Sequence, residues 1–279
     1  MTDPLFSVAD QVVLVTGGSR GLGRAMCLGL AERGARVVIA SRKLDACEEL
    51  AAQIRGSGGE AFAAACHVGD WESLDRVVAD AAGRWGRLDG LINNAGMSPR
   101  APSLLETSET LFDKVIAVNL KGPTRLTALA AEAMKATGGG SIINISSLAS
   151  VKPISTAPVY SAAKAGLNAL TRAAALEYAG ADIRVNGIIC GTFDTDAAAG
   201  FVRNADLLPE VVRPIALGRV GRPDEIVGAA VIADGEHEVL RGAREMLRRG
   251  ASQIKLMAAL MQACQNGSYS SRPKDRLPR

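Results

Sequence analysis

Short apolar runs and longer amphipathic stretches alternate along the chain between Val12 and Ile189. Residues 12–15, 36–40, 61–66, 88–92, 141–145 and 184–189 are rich in apolar or small side chains and are bounded by glycine or polar residues, a pattern that predicts six buried strands. Between them apolar positions recur at helical spacing, as at Leu22, Met26 and Leu30, so helices are expected over about 22–33, 44–54, 71–85, 110–137 and 159–179. Strands that alternate with helices in this way imply an α/β fold with a parallel sheet covered on both faces. In such sheets ligands sit beyond the carboxyl ends of the strands. Polar stretches fall at those ends, at 16–23, 41–43, 67–70, 93–96 and 146–147.

Composition changes this picture little. A chain of 279 residues suits one large α/β domain, or a domain with an appendage. The formal net charge of +3 is matched by residues 265–279 alone, where Arg272, Lys274, Arg276 and Arg279 stand against Asp275. The remainder is balanced, so nothing calls for nucleic acid or an acidic membrane surface. The five cysteines (Cys27, Cys47, Cys66, Cys190 and Cys264) are scattered and lack metal-ligand spacing. They read as reduced thiols in a reducing, cytoplasmic setting, and no metal site is expected. The N-terminal stretch carries Asp3 and Asp10 without an apolar leader, and no uncharged apolar run approaches membrane-spanning length.

Candidate chemistry begins at Thr16-Gly17-Gly18-Ser19-Arg20-Gly21-Leu22-Gly23, where a strand pattern turns into a helix pattern. Gly17 and Gly21 can take positive φ, and a bare Gly23 lets helix and sheet come together. The helix start then offers N–H groups and partial positive charge to a pyrophosphate. In dinucleotide sites an acidic residue after the second strand holds the adenine ribose. Ser41 and Arg42 occupy that place in this chain, with Arg20 in the glycine loop. Guanidinium groups pair with a 2′-phosphate that a carboxylate would repel, so NADP(H) is favoured over NAD(H). Asn93-Asn94-Ala95-Gly96 would lie along the cofactor, its small residues admitting the backbone and its asparagines tying neighbouring strands.

Tyr160 and Lys164 are one helical turn apart on one face. An unperturbed tyrosine is a weak acid, with a pKa of about 10. An adjacent ammonium, together with an oxidised nicotinamide, is expected to lower that value and let Tyr160 exchange a proton with a carbonyl or an alcohol. Ser147, at the end of the fifth strand, can hydrogen-bond the same oxygen. Asn119 inside the long helix can loosen its backbone and hold a water that links Lys164 to solvent. Singly, these motifs also fit a tight turn, a solvated helix start and a surface helix pair. Their order along one α/β pattern is what favours chemistry.

Taken together, the residues of the glycine loop, Asn93-Asn94-Ala95-Gly96, Asn119 in Val-Asn-Leu, Ser147, Tyr160-Ser161-Ala162-Ala163-Lys164, Arg184-Val185-Asn186 and the 217–225 stretch resemble the short-chain dehydrogenase/reductase family over about residues 5–232. The resemblance implies a Rossmann-type doubly wound parallel sheet. It implies hydride transfer at nicotinamide, with catalytic Asn119, Ser147, Tyr160 and Lys164. It places Thr16, Gly17, Ser19, Arg20, Gly21, Leu22, Gly23, Ser41, Arg42, Asn94, Ala95, Gly96, Tyr160 and Lys164 on the cofactor, with Arg42 matching NADP-preferring members. His67 and Val68 would border the adenine, and Gly191, Thr192 and Thr195 the nicotinamide. A homodimer or homotetramer built on the helices carrying Asn119 and Tyr160 is also implied. Two local departures stand out: His67 replaces the family's usual aspartate after strand three, and Cys190 replaces the proline before Gly191.

A third departure is larger. Beyond about residue 232 the family's ending is missing, so the last strand is absent or replaced. The expected organisation is an NADP-binding oxidoreductase domain over 1–232, an atypical helix–strand appendage over 233–264 and a disordered basic tail over 265–279. Part of the appendage resembles a short amidohydrolase unit in which a lysine like Lys255 can bind metal. With His67 and His237 as its histidines, the chain cannot assemble such a hydrolase site. Residues 252–257 are a candidate strand that could extend the sheet through a right-handed crossover. The function expected is reduction of a carbonyl, or oxidation of a secondary alcohol, with a small-molecule substrate bordered by residues 98–105, 148–158 and 192–214. The alternative is a cofactor-binding protein impaired by its altered ending.

Overall fold

A computed structural model of the chain describes residues 7–231 and the backbone of 254–257. Seven strands form one sheet: β1 (Val12–Thr16), β2 (Arg36–Ser41), β3 (Glu60–Ala65), β4 (Gly90–Asn93), β5 (Gly140–Ser147), β6 (Ile183–Cys190) and β7 (Ile254–Met257), in the order β3-β2-β1-β4-β5-β6-β7. The first six are parallel. Strand order reverses between β1 and β4, which opens the crevice where such sheets take ligands.

Alternation along each strand divides the core into two layers. Val13, Val15, Val37, Ile39, Ile143 and Ile145 face α1 (Gly21–Ala31), α2 (Leu44–Gly56) and, further along the chain, α9 (Val227–Val231). Val12, Leu14, Val38, Leu91 and Ile142 face the other way. They pack on α3 (Ser73–Trp85), α5 (Gly122–Lys135) and α6 (Pro158–Tyr178), through residues such as Leu74, Leu126, Met134 and Tyr178. The expected α/β class and doubly wound sheet are therefore present.

The expected helix over 110–137 is divided. α4 (Glu109–Ile116) passes through a π-helical turn at Ala117–Lys121 into α5. The cause is local. Asn119 Nδ2 donates to the Val115 carbonyl at 2.9 Å, taking the acceptor that the α-helical backbone of residue 119 would use. The Gly122 N–H instead reaches the carbonyl of Ala117, five residues back.

Gly122 also lies against the backbone of Val68. A Cβ there would fall 2.9 Å from the Val68 carbonyl carbon and closer still to its oxygen. Backbone cannot yield as a flexible side chain can, so Gly122→Ala is expected to cost at least about 1–3 kcal/mol, read as a lowered urea midpoint with unchanged slope. A midpoint equal to the parent's would show that this contact relaxes freely.

At the β6 edge the missing last strand is replaced rather than absent. β7 pairs with β6 from Ile254↔Cys190 to Gly187↔Met257. The pairing is antiparallel, which corrects the expectation of a right-handed crossover, because that connection joins parallel strands. The rest of the 233–264 appendage, its helix and its amidohydrolase likeness, and the 265–279 tail lie outside the described residues, as do residues 1–6.

After β6 the chain makes two short helices, α7 (Ala199–Val202) and α8 (Leu208–Val212). The start of this segment is pinned. Gly221 N donates to the Thr192 carbonyl at 2.9 Å, and Asp194 N donates to the Gly221 carbonyl at 2.8 Å. Glu225 fixes the second partner by accepting from Arg222 N at 2.7 Å and from both terminal nitrogens of Arg219 at 2.9 and 2.7 Å. The Arg219 guanidinium holds the Glu225 carboxyl down to about 2.

Candidate active site

The crevice between β1 and β4 is laced by one hydroxyl. Thr16 is buried; its Oγ1 donates to the Ile92 carbonyl at 3.2 Å and accepts from Asn94 N at 3.0 Å and Ala95 N at 3.1 Å. Asn94 Nδ2 returns to the Thr16 carbonyl at 2.9 Å and the Gly17 carbonyl at 3.3 Å. Gly17 and Gly21 both take positive φ, +64° and +54°, as the turn into α1 requires. A Cβ on Gly23 would lie 2.6 Å from Asn94 Nδ2 and nearer still to the Gly17 carbonyl, so contact alone dictates glycine there.

α1 starts without a side-chain cap and without an acidic residue in its first turn. Its first N–H groups and its dipole suit an anion, so the donor set fits a dinucleotide pyrophosphate. Arg20 and Arg42 are exposed, and among the described residues neither forms an ion pair. The Ser41 hydroxyl turns inward to Cys47 Sγ at 3.0 Å and to the Lys43 carbonyl at 3.3 Å. His67 is exposed, and its Nδ1 accepts from Gly69 N at 3.1 Å. Val68 is buried in the core, so backbone rather than side chain would border a ligand there. Ser19 and Leu22 lie in the turn and the first residues of α1. Thr195 rests against the glycine loop, 3.5 Å from where a Cβ of Gly21 would stand. Gly191 and Thr192 follow β6 directly.

The second cluster lies at the carboxyl ends of β4, β5 and β6. Pro158 starts α6, and Lys164 follows Tyr160 four positions later on the face turned to β5. Lys164 is buried, and its Nζ donates to the Ile145 carbonyl at 2.7 Å while standing 6.0 Å from the centre of the Tyr160 ring. Asn119 is buried beside it. Its amide donates to the Met97 carbonyl at 2.9 Å, and its Oδ1 accepts from Met97 N at 3.2 Å. Gly96 sits between the two: a Cβ there would lie 3.1 Å from Asn119 Oδ1 and 3.7 Å from Lys164 Nζ. Ser147 ends β5, and its side chain neighbours the Tyr160 phenol. The four residues expected to act together are thus gathered, with the turn of Asn94, Ala95 and Gly96 next to them.

Without a cofactor, burial sets the acidity of Tyr160: it pushes the phenol above the usual tyrosine value, and the nearby Ser147 side chain only partly offsets this. Desolvation also acts on Lys164, bringing its ammonium down to about 8. The neighbouring lysine therefore does not make the phenol acidic in the ligand-free protein, because burial penalises the phenolate more than nearby groups favour it. Cys190, at the end of β6, is buried, and desolvation pushes its thiol up to about 12, as suits a small packing residue.

Two supports for the site carry no motif. Asn168, one turn beyond Lys164 on α6, donates to Ser150 Oγ at 2.8 Å, and Ser150 Oγ donates to the Ser147 carbonyl at 2.6 Å. Asn93 Nδ2 donates to Asn144 Oδ1 at 2.9 Å, and Asn144 Nδ2 donates to Thr171 Oγ1 at 2.9 Å, joining β4, β5 and α6 beneath the catalytic residues. The polar spacing of Asn168 from Lys164 was visible in the chain, but not the partner it would meet.

A family model described as short chain dehydrogenase matches residues 11–206. An uncharacterized oxidoreductase of Thermotoga maritima is 39% identical over 228 residues, covering 80% of this chain and 89% of that protein. The cis-4-hydroxycyclohexanecarboxylate dehydrogenase of Sinomonas cyclohexanicum is 37% identical over 222 residues, covering 79% of this chain and 88% of that protein. A crystal structure from Beutenbergia cavernae, assigned as an NAD(P)-dependent gluconate 5-dehydrogenase and holding NADP, is 33% identical with a TM-score of 0.79, covering 84% of this chain and 93% of that one. Among the described residues no helix is long and apolar enough to cross a membrane, and no cluster of ligating side chains could hold a metal ion. A glycine-lined phosphate cradle, a tyrosine and lysine one turn apart and these relatives converge: the chain belongs to the short-chain dehydrogenase/reductase family and is an NAD(P)-dependent oxidoreductase acting on CH–OH groups.

Proposed function

We propose that the protein is an NADP(H)-dependent carbonyl reductase or secondary-alcohol dehydrogenase in which Tyr160 is the proton donor and acceptor. The observation that carries this reading is the meeting of Tyr160, Lys164, Ser147 and Asn119 at the strand ends beside a glycine loop. Thr16, Gly17, Ser19, Arg20, Gly21, Leu22 and Gly23 would hold the pyrophosphate. Ser41 and Arg42 would hold the adenosine end, bordered by His67 and Val68. Asn94, Ala95, Gly96, Gly191, Thr192 and Thr195 would flank the nicotinamide. When bound, NADPH supplies a hydride to the carbonyl carbon.

The chain's own residues handle the oxygen. Tyr160 gives its phenolic proton to that oxygen, so hydride and proton together make the alcohol. Ser147 donates a hydrogen bond to the same atom. The Lys164 ammonium steadies the phenolate left behind, and Asn119 keeps the π turn and the Met97 loop in place around Lys164. In the oxidative direction the phenolate takes the alcohol proton back.

The reading of an impaired cofactor-binding protein is not favoured, since the catalytic cluster is assembled and the altered ending lies past β6. Phe193 packs into the core, whereas Leu207 is exposed and Leu208 and Phe201 are half-buried, leaving apolar side chains along the 192–214 segment. This suits a substrate with an apolar portion. A homodimer or homotetramer is part of the proposal, read by native mass. The functional test is NADPH consumption with a panel of cyclic and linear ketones; NADPH binding without turnover of any of them counts against the reading.

Cofactor choice has its own test. Charge-assisted hydrogen bonds contribute about 1.5–3 kcal/mol, which corresponds to roughly 10- to 150-fold in affinity. Arg42→Asp should weaken NADP⁺ by that much and leave NAD⁺ within about threefold in fluorescence titrations. Equal loss for both cofactors would contradict phosphate pairing at Arg42.

A further inference from the structure

The catalytic cluster explains how an oxygen is handled but not what else the substrate carries. The loop after Gly96 borders the site: Met97 is fixed to Asn119 at one end, and Ala101 N donates to the Thr156 carbonyl at 3.0 Å at the other. Thr156 is four residues before Tyr160. Arg100 sits within this fixed loop, between Pro99 and Pro102, whose rings restrict the backbone on both sides. Its guanidinium lies 5.8 Å from the centre of the Phe201 ring on α7, so it spans from the catalytic loop to the segment across the site.

Arg100 is exposed, and among the described residues no carboxylate pairs with it. Of the acids on the two bordering segments, Glu106, Asp194, Asp196 and Glu210 are engaged elsewhere, and Asp206 is exposed. Glu106 accepts from the Ser103 hydroxyl at 2.9 Å. Asp194 and Asp196 both hold Arg203, at 3.4 and 3.3 Å. The result is a guanidinium within cation–π reach of Phe201, with its donors uncommitted, at the edge of the site. A planar fork of this kind matches a carboxylate bidentately.

We propose that Arg100 is a carboxylate subsite, and that the substrates are hydroxy acids or oxo acids whose reacting carbon lies at Tyr160 while the acid group lies at Arg100. The inference rests on the reading of Tyr160 as the carbonyl centre and adds the substrate class to it. The cation–π approach to Phe201 leaves the guanidinium N–H groups to the acid, so the loop bearing Arg100 and the segment bearing Phe201 both contribute to recognition. Arg100 selects the substrate and leaves the proton chemistry to Tyr160.

Matched pairs test this. The 3- and 4-oxocyclohexanecarboxylates and their methyl esters are reduced with NADPH by the parent and by Arg100→Gln and Arg100→Lys. The parent should prefer the acid of at least one pair by about 10- to 100-fold in kcat/KM. Arg100→Gln should bring that ratio close to one by losing the acid alone, with the ester within about twofold, and Arg100→Lys should recover part of it. Thermal melts of the variants should overlay the parent's, which separates lost recognition from lost folding. Ester turnover with no acid preference in the parent, or a ratio unmoved in Arg100→Gln, overturns the subsite and leaves the carbonyl-reductase reading standing. A parent that binds NADPH yet reduces neither member of either pair overturns both.

Discussion

Tyr160→Phe should bind NADPH as the parent does and reduce ketones about 10²–10⁴-fold more slowly, the range expected when a positioned acid is removed. The substitution deletes one hydroxyl and keeps the ring that packs beside Val115, Val159 and Ala163, so the fold is not at stake. What disappears is the proton donor beside Ser147. Because burial raises the phenol, the proton is held through the neutral range, the state that reduction needs. Alcohol oxidation needs the phenolate instead, so its rate should climb with pH while reduction stays level until the phenol titrates. A loss of less than tenfold in Tyr160→Phe, or identical pH profiles for the two directions, would mean that another group moves the proton.

Lys164→Met is expected to stabilise the ligand-free protein and to abolish most turnover. The ammonium is buried, and desolvation brings its pKa down from the ordinary lysine value to about 8. Between about pH 8 and the unfolded value of about 10.4, the unfolded chain therefore binds the extra proton and the folded chain does not. Stability rises with pH across that window, and below it the penalty of the buried charge is fully present, on the order of 3 kcal/mol. Losing the bond to the Ile145 carbonyl returns about 1 kcal/mol or more of that. The net gain of about 1–2 kcal/mol at neutral pH corresponds to a few degrees in Tm. The gap between variant and parent should narrow as pH rises from 8 to 10. A variant less stable than the parent at pH 7 would show that the carbonyl contact outweighs desolvation. Retained activity would remove Lys164 from the proposed mechanism.

Local patterns carried most of the architecture. The strands were legible because each is an apolar run closed by a polar turn, and Tyr160 and Lys164 because helical spacing alone sets them on one face. The division at Asn119 was half legible: a side-chain amide inside a helix signals competition for a carbonyl, but not the π turn that settles it. Other features depend on partners distant in the chain. Gly122 gives no sign that Val68 will press on it, and Asn168 none that Ser150 will link it to Ser147. The ligand-free acidity of Tyr160 was not legible, because a sequence shows its cationic neighbour but not the loss of water around the phenol, and without a cofactor the second effect is the larger. The direction of β7 was unreadable for a similar reason, since a four-residue apolar run fits either orientation at an open edge.

That orientation governs where the polypeptide goes next. Ile254 meets Cys190 beside the catalytic strand ends, and Met257 meets Gly187, about 10 Å farther down the sheet at the usual strand rise. Whatever comes before Ile254 is delivered close to the chemistry, whereas the backbone departs from Met257 on the remote side. A surface linker joined directly after Met257 therefore begins its path facing away from the substrate entrance.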